Sequence, residues 1–181
     1  MSTPTLLGSR AADLRNTFDR ARGAPALLGA EEQFESLLAI RVSGDAYAIR
    51  INEIAGLARD RKIVAIATPI PALLGISAIR GALVPVYSLA ALLGYGVEGG
   101  HHRWLAICGT DEVFCLAFGE FEGYFRSPVA RLYAVEQGGG PLSHVRHVIQ
   151  AAGVARAVVS IPLIKKTIQA SCSRNDISKE R

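Results

Sequence analysis

Between Gly75 and Gly94 the chain reads GISAIRGALVPVYSLAALLG, and this stretch leaves few folds open. Two apolar runs meet at Arg80-Gly81. The second, Ala82 to Tyr87, is rich in β-branched and aromatic side chains, as a pleated, half-buried strand requires. Pro85 has no N–H to donate, which predicts a free edge or a bulge at that point of the strand. Ser88 ends the strand and is placed to cap a short helix, Leu89 to Leu93, by accepting a bond from an early helical N–H. Gly94 supplies the left-handed residue that closes such a helix. The one cation of the stretch, Arg80, stands at the turn between apolar flanks. It is either an ordinary surface charge or a docking residue held by a rigid frame.

The rest of the chain repeats this short-strand grammar. From Phe34 the apolar residues recur with period two, as Leu38, Ile40 and Val42. Ser43-Gly44-Asp45 reads as a turn and Ala46 to Ile51 as the returning strand, so a hairpin is expected. Asn52-Glu53-Ile54 is a short link, and Ile63 to Ala67 reads as a further strand. Thr68-Pro69-Ile70-Pro71 excludes regular structure because both prolines lack donors. Leu73-Leu74-Gly75 reads as a helical turn. After a glycine-rich connector, Arg103 to Cys108 and Glu112 to Phe118 flank Gly109-Thr110-Asp111 as a second hairpin, and Glu120 to Arg126 follows as a strand. Val154 to Val159 is a strong strand and Pro162 to Ala170 a terminal helix, with the polar chain after Ser171 expected to fray. Val86-Tyr87-Ser88-Leu89 is echoed by Val158-Val159-Ser160-Ile161, each reading strand, serine cap, helix. Many short strands with glycine and proline turns argue for small barrels or a sandwich, and two copies of one strand-to-helix unit favour two similar small barrels.

Residues 1 to 30 differ. Leu7, Ala11, Leu14, Phe18 and Ala21 recur at helical spacing with charged residues on the other faces, which predicts an amphipathic helix ended by Gly23 and Pro25. Three segments are therefore expected: an N-terminal extension over 1–30, a β domain over 31–170 and a polar tail over 171–181.

Chain length and composition, 181 residues with half hydrophobic and a fifth charged, suit one ordinary domain or two small ones in close contact. The net charge is +4, but the basic residues are scattered and aromatics do not interleave with them, which disfavours a nucleic-acid groove. Cys108, Cys115 and Cys172 are odd in number and lack paired C-x-x-C spacing, so free thiols are expected rather than a disulfide framework or a zinc site. With Asp111 and Glu112 as a two-residue turn, Cys108 and Cys115 would face each other. No stretch is long and apolar enough for a leader or a membrane span, so a cytoplasmic protein without membrane insertion is expected. His144 and His147 lie three apart, a spacing that places both on one side of a helical turn, but no third ligand follows at a telling spacing, and surface imidazoles are expected. Ser88 and Ser160 lack a nucleophile elbow, and Gly138 to Gly140 lacks the Lys and Ser/Thr of a phosphate loop. No catalytic residue, metal or cofactor is expected.

The order of parts from Thr68-Pro69-Ile70-Pro71 through Gly75, Arg80-Gly81 and Val84-Pro85-Val86 to Ser88-Leu89 resembles the CheW family of chemotaxis coupling proteins. The resemblance runs from about Phe34 to about Ile168. It implies a mainly β fold of two intimately joined five-stranded SH3-like barrels with short helices, in which segments are exchanged between barrels. It implies a non-enzymatic adaptor that couples a chemoreceptor's cytoplasmic domain to the regulatory domain of a CheA-type histidine kinase. Ile51, Glu53 and Arg80 match family positions used in receptor docking. Glu53 and Arg80 near one groove would lock each other's orientation and present apolar neighbours to a helical partner. Leu73, Leu74 and Gly75 stand where a kinase barrel would pack end to end, with Gly75 allowing close backbone approach. The chain departs from the family pattern at Ala78, where Asn is usual, and at Ser88, where Asp is usual. In the second half Phe118-Gly119-Glu120-Phe121 replaces a common Asp after a valine run. This last departure leaves open a diverged paralogue that binds a single partner. A small-barrel nucleic-acid binder and an enzyme stand further off, the latter without a nucleophile and base behind it.

Overall fold

The computed structural model describes residues 33–96, 102–135 and 143–177. The expected leading helix lies outside them. Eleven strands appear in chain order: β1 (Phe34–Val42), β2 (Asp45–Arg50), β3 (Ile54–Arg59), β4 (Leu73–Ile79), β5 (Ala82–Ser88), β6 (Trp104–Cys108), β7 (Phe114–Phe118), β8 (Glu120–Pro128), β9 (Leu132–Ala134), β10 (Val145–Ala151) and β11 (Val154–Val159). Helix α1 (Leu89–Leu92) follows β5, and α2 (Ile161–Ile177) follows β11. Short 3-10 turns, Ile51–Glu53 and Val129–Arg131, precede β3 and β9.

One sheet runs β8-β1-β2-β11-β10-β9 and the other β3-β6-β7-β5-β4. The two follow one plan. In each, a central hairpin (β1–β2 or β6–β7) pairs in parallel with a strand from outside it, β11 later in the chain or β5 earlier, and that strand forms its own hairpin with the one before it (β10 or β4). The outer neighbour, β8 or β3, carries a bulge in both sheets. Even β9 has a counterpart, the isolated bridge from Val64 to Ile76 beside β4. From Ala72 to Ser88 and from His144 to Ser160 the match runs residue for residue. Ser88 N–H donates to Ala72 O and Ser160 N–H to His144 O, each at 2.8 Å. The echo at Ser88 and Ser160 thus marks a repeat of the whole unit. We call the six-stranded unit barrel 1 and the five-stranded unit barrel 2; both are SH3-like, and the chain is mainly β.

Alternation along the strands sends one face of each sheet into its own barrel and the other into a shared core. Barrel 2 is filled by Ile79, Val84, Val86, Leu105, Ile107, Cys115 and Ala117. Barrel 1 is filled by Leu37, Ala48, Ile149 and Val158. The largest cluster lies between the two and draws on both, including Leu38, Ile40, Tyr47 and Ile49 from one and Tyr87, Leu89, Leu116 and Phe118 from the other. Helix α2 contributes Ile161, Ile164 and Ile168 to it.

Several expectations are corrected. Leu73-Leu74-Gly75 opens strand β4 rather than a helical turn, and Ile63 to Ala67 makes a single bridge rather than a strand. His144 and His147 are not on a helix: His147 belongs to β10, and His144 is buried with its Nε2 2.9 Å from Thr167 Oγ1. Cys115 pairs with Ile107, and Cys108 with Phe114, because the loop between β6 and β7 is longer than two residues. The two thiols therefore point to opposite faces, Cys108 into the shared core and Cys115 into barrel 2. Cys108, Cys115 and Cys172 are free thiols. Helix α2 continues past Ser171 to Ile177. The Ser171 and Ser173 hydroxyls donate back to Thr167 O and Gln169 O, so these polar side chains are satisfied within the helix. Ser88 does cap α1, its Oγ accepting from Ala91 N–H at 3.2 Å. Of β5, only Val86 to Ser88 pair with β7, which leaves Pro85 at a free edge.

Candidate functional site

Arg80 and Gly81 are the two residues between Ile79 and Ala82, which pair as the last rung of the β4–β5 hairpin. Both have positive φ, 51° and 85°. This is the type I′ turn, whose twist matches that of the flanking strands and which glycine, asparagine and aspartate favour. Ser43-Gly44 and Ala152-Gly153 make the equivalent turns in β1–β2 and β10–β11. An arginine held left-handed costs about 1 kcal/mol in backbone energy. Its side chain is exposed and reaches back along the barrel to β3, where a Cβ built on Gly56 would lie 3.7 Å from Arg80 Nη2. Among the described residues Arg80 has no hydrogen bond or ion pair. The strand that leaves this turn carries Leu83, 73% exposed.

Glu53 does not hold Arg80. Its Oε1 lies 3.5 Å from Arg50 Nη1, and its Oε2 accepts the Ile161 N–H at 2.8 Å. A carboxylate from the turn after β2 thus caps the first amide of α2, where the helix dipole favours negative charge. Arg50 is the hub of this corner. Its Nε donates to Glu35 Oε2 at 2.7 Å and its Nη2 lies 2.9 Å from His147 Nδ1. Burial lowers the pKa of His147, with the Arg50 guanidinium acting in the same direction and Glu35 opposing. Sequence reasoning missed Arg50, which sits at a strand end with no motif around it, and read His147 as a surface imidazole because the bulge before it hides its place in β10. Ile51 begins the 3-10 turn and packs against the shared core. The structure therefore brings Arg80 close to Gly56 in β3, while Glu53 and Ile51 belong to the junction between the barrels.

At the other end of β4, Gly75 is buried with φ 147°. A Cβ there would lie 2.1 Å from the Val64 carbonyl oxygen, so the close approach that Gly75 permits is to its own chain. Val64 and Ile76 exchange two backbone bonds of 2.8 and 2.9 Å across it. Leu73 packs on the shared core and Leu74 on barrel 2, while Val64, bridged to Ile76, and Ile66 stand 50% and 41% exposed.

A cleft of about 750 Å³ between the barrels is lined in part by Ser43, Asp60 and His102. These three make no hydrogen bond with one another. Asp60 pairs instead with Arg59 at 3.0 Å and Arg103 at 3.5 Å. Among the described residues there is no cluster of three or more His, Cys, Asp or Glu able to hold a metal, and no helix is long and apolar enough to cross a membrane.

The site thus consists of twin barrels, a hairpin that presents Arg80 without a partner among the described residues, and apolar side chains exposed on the flanks. Residues 36–150 match the family model described as the CheW-like domain, and the chain belongs to that family of scaffold and adaptor proteins. The solved structure of the scaffolding protein TtCheW from Thermoanaerobacter tengcongensis has the same fold, with a TM-score of 0.65 at 14% identity over 71% of this chain and 90% of that one. No curated protein matches the chain in sequence.

Proposed function

We propose that the chain is a non-enzymatic cytoplasmic adaptor that couples a chemoreceptor's cytoplasmic domain to the regulatory domain of a CheA-type histidine kinase in chemotaxis or motility signalling. The observation that carries this reading is Arg80. It is a cation in a strained backbone conformation, exposed at the tip of a rigid hairpin, with no internal partner among the described residues. Local strain of this kind persists where the surrounding structure over-determines it, and it concentrates at functional sites. Membership of the CheW-like family supplies the partner class. The receptor meets Arg80, with Ile51 and Glu53 setting the junction behind it. The kinase barrel packs at the end of barrel 2 around Leu73, Leu74 and Gly75, where Val64 and Ile66 present the outward-facing apolar surface.

Binding of wild type and Arg80→Ala to a receptor cytoplasmic fragment and to a kinase regulatory domain, measured separately, tests this. Loss of about 2 kcal/mol or more is expected for the receptor and little for the kinase. Equal loss of both indicates a folding defect, and unchanged receptor binding removes Arg80 from the docking surface. A second reading, a diverged paralogue with one partner, rests on Phe118-Gly119-Glu120-Phe121. It is favoured if the kinase domain fails to bind the wild-type chain.

A further inference from the structure

The repeat provides an internal control for Arg80. The bulge residue of β8 is Glu122, followed by Gly123, which pairs with Ala39. The bulge residue of β3 is Ala55, followed by Gly56, which pairs with Ile107. Ala39 and Ile107 hold the same place in their hairpins, so Ala55 is the barrel 2 counterpart of Glu122. Each bulge has a guanidinium beside it. In barrel 1 it comes from the strand: Arg156 on β11 places Nη1 2.6 Å from Glu122 Oε2. Arg41 Nε takes the other oxygen at 2.7 Å. Burial opposes ionisation of Glu122, but the bonds from Arg41 and Arg156 outweigh it and hold the carboxyl below its usual range. In barrel 2 the counterpart of Arg156 is Val84, which packs in the barrel core, and the guanidinium comes instead from the turn, as Arg80 beside Gly56. There the residue that should bear the carboxylate is an exposed alanine.

We propose that Arg80 is one half of a duplicated guanidinium–carboxylate station, and that the partner docking on it supplies the other half as an aspartate or glutamate side chain. The inference rests on the reading of Arg80 as a docking residue and adds the chemistry of what it meets. The planar guanidinium matches a carboxylate in bidentate fashion, and such charge-assisted bonds are the strong ones. The partner's acidic group would lie over the β3 bulge, as Glu122 does over the β8 bulge.

The test fills the station from within. Ala55→Glu places a carboxylate where barrel 1 has its own, while Ala55→Gln adds the same bulk without charge. Both sit at an exposed position, and a melt of each confirms the fold. Against a chemoreceptor cytoplasmic hairpin fragment that binds wild type, Ala55→Glu is expected to lower affinity about tenfold or more and Ala55→Gln to leave it nearly unchanged. In the second arm, the fragment's Asp and Glu residues are changed to Lys one at a time. One such fragment should lose binding to wild type and regain it with Arg80→Glu. Equal effects of Glu and Gln at position 55, or no regained pair, overturn the proposal while docking stands. Unchanged binding by Arg80→Ala overturns the docking reading itself.

Discussion

At Arg80 local preference and position disagree. A type I′ turn asks for asparagine or glycine at its first central residue, and the other two such turns among the described residues place serine and alanine there. Arg80→Asn is therefore expected to stabilise the fold by about 0.5–1 kcal/mol while weakening receptor binding by about 2 kcal/mol or more, a trade of stability for function. Thermal melts and binding to a receptor fragment, run on the same variant, check both halves. The position of Arg80 was legible in the sequence because an Arg-Gly pair between two apolar runs admits few turns. Its surroundings were not. The expectation that Glu53 holds it failed because Glu53 is drawn to Arg50 and the first amide of α2, and Ile161 lies more than a hundred residues away in sequence. The role assigned to Gly75 also changes in kind: its missing side chain makes room for Val64 of its own chain.

Among the elements, the strands with an alternating pattern or a short apolar run between turn residues were legible: β1, β2, β5, β6, β7, β8 and β11. Those that escaped notice had physical reasons to. Strand β3 reads IAGLAR, where glycine and alanine give no β preference. In β10 a bulge at Arg146 breaks the period-two pattern. Ile63 to Ala67 has the composition of a strand but meets β4 at one bridge only, just before a loop whose prolines lack donors. Helix α2 was placed by its serine and proline, yet the acceptor for its first amide, Glu53, comes from far away in the sequence. Glu53→Ala is thus expected to cost about 2 kcal/mol, since it removes a cap and leaves Arg50 with one fewer acidic neighbour. Glu53→Gln keeps an acceptor and should cost less. Denaturant unfolding of the two variants measures the difference, and equal costs would show that the charge matters more than the cap.

At the scale of the whole molecule, the corner that joins the barrels carries a pH dependence. Burial lowers the pKa values of His144 and His147 below the ordinary 6.5, and His102 is lowered in the same way. A depressed folded pKa means that the unfolded chain binds protons more readily. The stability from these imidazoles is present above about pH 6.5 and is lost as pH falls through their folded values. Glu112 and Glu122 are depressed below 4.5, so their contributions persist down to that point. A melting temperature that declines between about pH 7 and pH 5 is expected, and His147→Gln should flatten the decline. An identical slope in the variant would place the effect elsewhere.

The exchange of strands sets an order of assembly. Barrel 1 takes its hairpin, β1–β2, from before barrel 2 and the rest, β8 to β11, from after it, so barrel 2 is enclosed within barrel 1 along the chain. A ribosome releases the last strand of barrel 2 at Phe118, whereas barrel 1 must wait for Val159. Domains fold as units during synthesis, the earlier ones first. Through that interval Leu38, Ile40, Tyr47 and Ile49 have only barrel 2 to cover them, which gives the nascent chain a completed template on which its first hairpin can rest. Nascent chains stalled with Phe118 outside the exit tunnel should resist limited proteolysis between Ile54 and Phe118. Cleavage there as rapid as in an unfolded chain would mean that the two barrels form together.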